Sequence, residues 1–125
     1  YADDITFSGA TNIKNMIPII KKIVSEENFQ VNEKKTRYAY YYQRQEVTGL
    51  IVNKKVSIPK GYIRDILKEI YYCKKYGVSS HLIKIGNHKS FYKEHMYGKA
   101  YFVYMIDREK GQKILCDLDS IDWEY

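Results

Sequence analysis

The chain has 125 residues, of which 45% are hydrophobic and 29% charged, and its net charge is +6 with a pI near 9.2. These values suit a folded domain and argue against disorder, and no apolar run approaches membrane-spanning length. Cys73 and Cys116 stand alone without Cys-x-x-Cys spacing, which argues against a zinc site or a disulfide framework and points to a reducing, cytoplasmic setting; no membrane partner is expected.

The first element is Tyr1-Ala2-Asp3-Asp4 followed by Ile5-Thr6-Phe7-Ser8-Gly9. Ile5 and Phe7 alternate with Thr6 and Ser8, the period of a half-buried strand ended by Gly9. Adjacent carboxylates disfavour double ionisation unless a cation compensates, and Mg2+ suits one or two carboxylates plus substrate phosphates. The chain starts without methionine and carries this motif at its edge, so a piece of a longer protein is expected.

Ile13, Met16, Ile17, Ile20, Ile23 and Val24 form a one-faced helical repeat, expected to lie across a sheet. An N-cap at Asn15 places Pro18 in the first turn, whereas a start at Thr11 implies a kink; the pattern leaves both open. Phe29-Gln30-Val31 is a short strand candidate, Asn32 to Arg37 a basic loop with Lys34, Lys35 and Arg37, and Tyr38 to Tyr42 an aromatic, β-prone run with at least one ring in the core.

Val47 to Val52 and Val56 to Ile58 read as a hairpin across Asn53-Lys54-Lys55, with Gly49 marking a bulge or a close approach. Beyond Pro59 the period becomes helical. Ile63, Ile66, Leu67, Ile70 and Tyr71 share one face up to Gly77; an irregular segment runs through Asn87; a helix follows from about Ser90 to Ile106 and another from about Glu109 to Ile121. Gly98 costs the first of these two helices about 1 kcal/mol unless another helix approaches there. Ile114, Leu115, Leu118 and Ile121 face inward in the second. The expected fold is α+β: residues 1–45 with short antiparallel strands and a packed helix, a hairpin over 46–58, and a three-helix bundle over 59–125.

From Glu33 to Lys113 there are eighteen Lys and Arg against seven Asp and Glu, and fourteen tyrosines are spread along the chain. Cationic surface with amphipathic rings suits a nucleic acid, whose phosphates need charge and whose bases can stack.

The ordered set Tyr1-Ala2-Asp3-Asp4, Asn32-x-x-Lys35-Thr36 and Val47-Thr48-Gly49-Leu50 resembles the C-terminal half of bacterial reverse transcriptases, most closely those of retrons. Gly98-Lys99 and Ser120-Ile121-Asp122-Trp123 look like the thumb of the same group. The resemblance implies the end of a polymerase palm, a primer-grip-like hairpin and a helical thumb. It implies that Asp3, with Asp4 in support, binds two Mg2+ ions together with a palm aspartate from elsewhere, and that Lys35 neutralises or protonates the leaving pyrophosphate. It assigns Lys34, Arg37, Thr48, Gly49, Lys54, Lys55, Lys60, Arg64 and Lys68 to nucleic-acid binding. Implied partners are an RNA template, a DNA primer or product, deoxynucleotide triphosphates and a cognate non-coding RNA. The upstream aspartate strand and the fingers are not in this sequence, so the isolated chain is expected to lack polymerase activity.

Group II intron, diversity-generating and phage-defence reverse transcriptases are the alternatives within the family. A non-catalytic RNA-binding module and, further off, a metal-dependent hydrolase are the alternatives outside it. His81, His88 and His95 read as surface histidines because no ligand set accompanies them. Tyr97, Tyr101 and Tyr104 read as bundle packing, and Asp117, Asp119 and Asp122 as a solvated face.

Overall fold

A computed structural model describes residues 3–86 and 90–124; Tyr1, Ala2 and His88 lie outside the described residues. The chain divides into two units, Tyr1–Thr48 and Gly49–Tyr125. The described elements are a 3-10 turn, Ile13–Met16, then α1 (Ile17–Glu26), β1 (Glu46–Val47), β2 (Leu50–Ile51), α2 (Lys60–Tyr76), α3 (Val78–Lys84), α4 (Tyr92–Ile106) and α5 (Arg108–Asp119). The fold is α+β and mostly helical, with one two-stranded antiparallel sheet.

In the first unit, the Asn12 side chain accepts the Lys14 N–H at 3.1 Å and starts the 3-10 turn. Pro18 sits in the first turn of α1, where its missing N–H costs no helical bond. The observed start is therefore Ile17, later than either expected one. Ile13, Ile17, Ile20 and Val24 are half-buried, Met16 and Ile23 are exposed, and α1 has no buried residue.

The strands expected at Ile5–Ser8 and Phe29–Val31 do not form, and no strand occurs among the described residues before Glu46. A strand is a paired object, and no ladder partner is described for 5–8. At Phe29 the backbone is committed elsewhere. Asn28 takes a left-handed φ of 61°, its N–H bonds the Ser25 carbonyl at 3.0 Å, and the Phe29 N–H bonds the Val24 carbonyl at 3.0 Å. This pair of bonds is a Schellman closure of α1.

Tyr38 to Tyr42 is also not a strand. Gln43 closes a turn by donating its N–H to the Tyr40 carbonyl while its side chain accepts the Tyr40 N–H. All four tyrosines are exposed, so the expectation of a core ring in this run fails. Tyr40 and Tyr42 stack with centroids 5.4 Å apart, and Lys14 Nζ lies 4.8 Å from the Tyr40 ring centroid.

Gly49 is not a bulge inside a long strand. Thr48 (φ 47°) and Gly49 (φ 80°) are both left-handed, the requirement of a tight two-residue hairpin turn between β1 and β2. Ile51 and Ser57 then exchange two backbone bonds of 2.8 and 2.9 Å in an antiparallel bridge, the expected return across Asn53–Lys55.

Among the described residues of the second unit, four helices follow rather than three. Lys60–Tyr76 begins after Pro59 and stops before Gly77, as the sequence indicates. Its buried stripe is Ile66, Ile70 and Cys73; Leu67 and Tyr71 are exposed. The segment expected to be irregular contains α3, whose Val78, His81 and Leu82 are buried. From α4 the core takes Tyr92, Met96, Ala100 and Val103, and from α5 Ile114, Leu115 and Leu118, with Ile58 and Ile121 closing it.

The close approach between α4 and α5 occurs at Gly111, where an added Cβ would collide with the Tyr104 backbone. Around Gly98, by contrast, there is open space. Tyr97 and Tyr104 are half-buried and packed against the core, as expected, whereas Tyr101 is exposed. Trp123 folds back by donating its indole N–H to the Leu118 carbonyl at 3.1 Å, and its ring lies against Tyr92 and Tyr97.

Candidate nucleic-acid interface

Asp3 and Asp4 are adjacent, exposed residues on non-helical chain. Among the described residues no group of three or more His, Cys, Asp or Glu can hold a metal ion. Two neighbouring carboxylates still match Mg2+, which takes one or two protein carboxylates and completes its shell with water and phosphate oxygens. Asp117, Asp119 and Asp122 form no ligand cluster: Asp117 pairs with Lys74 at 2.6 Å, Asp119 accepts the Tyr97 hydroxyl at 2.6 Å, and Asp122 accepts the Glu124 N–H.

The Asn32-x-x-Lys35-Thr36 loop owes its shape to Asn32. Its side-chain oxygen accepts the Lys34 N–H at 3.1 Å, and its carbonyl accepts the Lys35 N–H, the Thr36 N–H and the Thr36 hydroxyl. Asparagine and threonine thus spend their polar groups on the turn, as short polar side chains commonly do. The Lys34, Lys35 and Arg37 side chains are left exposed on it. A salt bridge of 2.6 Å from Lys21 to Glu33 ties this loop to α1.

Asp3, Asp4, Lys34, Lys35, Arg37 and Thr48 fall in the first unit; Gly49, Lys54, Lys55, Lys60, Arg64 and Lys68 fall in the second, and every one of them is exposed. Lys60, Arg64 and Lys68 recur every fourth residue along α2, which puts one cation on each successive turn of one helix flank, about 6 Å apart. Lys54 and Lys55 occupy the bend before the Ser57 bridge. These cations thus lie on the Asn32 loop, on the bend at Lys54 and Lys55, and along α2.

Sequence reasoning missed a polar cluster beneath α2. His81 is 5% exposed, not a surface residue, and its Nε2 lies 2.7 Å from Glu69 Oε2. The same carboxylate oxygen accepts the Tyr92 hydroxyl at 2.6 Å, and Cys73 Sγ lies 3.8 Å from that hydroxyl. Burial would raise the Glu69 pKa, but the bonds to His81 and Tyr92 outweigh it and hold the carboxyl below its ordinary value. Burial, reinforced by Glu69, drives the Tyr92 phenol up, and burial raises the Cys73 thiol. The available signal was Glu69 itself, an acid set between Ile66, Ile70 and Cys73 on a buried face, where a charge needs a partner.

A cleft of about 440 Å3 opens beside this cluster between α2 and α3, lined by Lys68, Glu69, Tyr72, Tyr76, Ser80, His81, Lys84 and Ile85. Tyr72 stacks with His81 on one hand and Tyr76 on the other, at centroid distances of 5.6 and 6.0 Å. No helix of the described residues is long and apolar enough to cross a membrane.

The chain is similar to Retron Mx162 reverse transcriptase of Myxococcus xanthus, 30% identical over 98% of this chain and 27% of that protein. It is also similar to Retron Mx65 reverse transcriptase of the same organism, 39% identical over 48% of this chain and 14% of that protein. The chain therefore spans about a quarter of the length of the first of these relatives and less of the second. No protein-family model and no solved structure matches it.

Proposed function

We propose that this chain, a segment of the retron reverse-transcriptase family, is the end of the palm and the thumb of an enzyme that makes DNA on an RNA template. The observation that supports this reading is the similarity to Retron Mx162 reverse transcriptase over 98% of the chain, an extent that reaches into both units.

Asp3 and Asp4 would hold Mg2+ with a further carboxylate from outside this chain; bound there, the metal would supply Lewis-acid stabilisation of phosphate oxygens. Lys35, presented by the Asn32 turn, meets the negative charge of a departing pyrophosphate and can give it a proton. Lys34 and Arg37 beside it, and Lys54, Lys55, Lys60, Arg64 and Lys68 in the helical unit, neutralise the phosphates of a template–primer duplex. Thr48 and Gly49 bring backbone close to the primer. The partners are an RNA template, a DNA primer, deoxynucleotide triphosphates and a retron non-coding RNA, in the cytoplasm. With a carboxylate lacking, the isolated chain is inactive.

In the full-length protein that carries this chain, Asp3→Asn abolishes primer extension while RNA–DNA duplex binding stays close to wild type. Normal extension by that variant would falsify the metal assignment, and extension by the isolated chain would refute its incompleteness. RNA binding with no extension by the unaltered full-length protein would favour a binding module instead.

A further inference from the structure

The cleft between α2 and α3 is built unlike the exposed cation sets. Its volume of about 440 Å3 falls within the range of small-molecule sites, about 300–1,000 Å3. Its wall is a row of nearly parallel rings: His81 to Tyr72 at 20° and Tyr72 to Tyr76 at 23°. His81 is immobilised by Glu69 and burial, so the row has a fixed inner end. Tyr76, at its outer end, is 51% exposed. Lys75 and Lys84 Nζ stand 5.2 and 6.0 Å from its ring centroid, and Lys68 and Lys84 are exposed residues of the lining.

We propose that this cleft takes one unpaired nucleotide of a single-stranded nucleic acid, the base stacked on Tyr76 and the adjoining phosphate held by Lys68 and Lys84. The chemistry favours that orientation. A partly buried, ionised Glu69 in the lining repels phosphate but can accept an N–H from a base edge, whereas Lys68 and Lys84 are solvent-exposed, where the backbone would pass. Exposed cation–ring contacts such as those of Lys84 are weak, so the lysine can exchange a ring for a phosphate on binding. A duplex offers no free base face and leaves the row unused. The inference rests on the nucleic-acid reading above but adds a site for a strand outside the paired template and primer.

The test measures fluorescence anisotropy with the full-length protein against three probes: a short single-stranded RNA of mixed sequence, its DNA counterpart and a blunt RNA duplex. Tyr76→Ala weakens single-strand binding about tenfold, Tyr76→Phe retains it, and neither changes duplex binding. Lys84→Gln lowers the salt slope for the single strand by about one. Loss on the RNA probe, the DNA probe or both names the strand. Unchanged single-strand binding in Tyr76→Ala, or an equal loss on the duplex, overturns the proposal and leaves the cleft to a protein partner. Primer extension is assayed in parallel: a protein that does not polymerise yet shows the Tyr76 effect refutes the polymerase reading alone.

Discussion

Glu69 Oε2 lies 2.7 Å from His81 Nε2 and 2.6 Å from the Tyr92 hydroxyl, so one carboxylate oxygen on α2 satisfies a side chain from α3 and another from α4. Removing it leaves a buried imidazole and a buried phenol without an acceptor. Glu69→Ala should destabilise the helical unit by about 2–4 kcal/mol, read from urea unfolding. Because the folded pKa of Glu69 lies below its ordinary 4.5, this contribution is complete above that value and is lost as pH falls through the depressed folded pKa. Acid titration of unfolding in wild type and Glu69→Gln checks this: the variant's stability curve is flatter below about pH 5.

Gly111 and Gly98 predict opposite signs for the same substitution. Gly98→Ala meets open space and should stabilise α4 by about 0.5–1 kcal/mol. Gly111→Ala drives a methyl into the Tyr104 backbone, where α4 cannot yield without separating from α5, and should cost about 1–3 kcal/mol despite the better helix former. Thermal melting of the two variants side by side decides it; equal shifts would refute the packing at Gly111.

Lys35 is exposed on a turn held by Asn32, so replacing it disturbs chemistry more than folding. Lys35→Ala in the full-length protein should lower the single-turnover extension rate about a hundredfold with little change in melting temperature. An unaltered rate would remove Lys35 from the leaving-group role.

Thr48 is a β-branched residue at φ 47°, a conformation it adopts at a cost. Thr48→Asn should relieve about 1 kcal/mol of strain in the hairpin turn and raise the melting temperature. If Thr48 serves the primer, the same variant extends a primed template more slowly; faster extension argues that its strain has no function.

The sequence made the second unit more legible than the first. Helices α2 and α5 announce themselves through apolar spacing and through Pro59 and Gly77, and the buried positions Ile114, Leu115, Leu118 and Ile121 follow directly. Helix α3 was hidden because it has seven residues and starts at Val78-Ser79-Ser80, which read as loop. In α4 Tyr97 and Tyr104 do pack against the core formed by Tyr92, Met96, Ala100 and Val103, as their spacing indicated, whereas Tyr101 is exposed, because an amphipathic ring fits core and surface alike. The strands expected before Glu46 failed for a different reason. Alternation records which side of a ribbon is apolar, but only a neighbouring strand makes it a ladder, and Phe29 had already given its N–H to α1. The family resemblance, drawn from the order of three short motifs, agrees with the retron relatives.

Each tight joint of the helical unit is a single residue: Gly77 between α2 and α3, and Asp107 between α4 and α5, the latter ending one helix with its N–H on the Val103 carbonyl and opening the next with its carboxylate on the Lys110 N–H. Successive helices are therefore locked in rotational phase. One residue inserted at Gly77 would turn α3 by about 100° and swing His81 away from Glu69. The same insertion at Asp107 would roll Ile114 and Leu118 out toward water, so at these two points chain length is as constrained as chain chemistry.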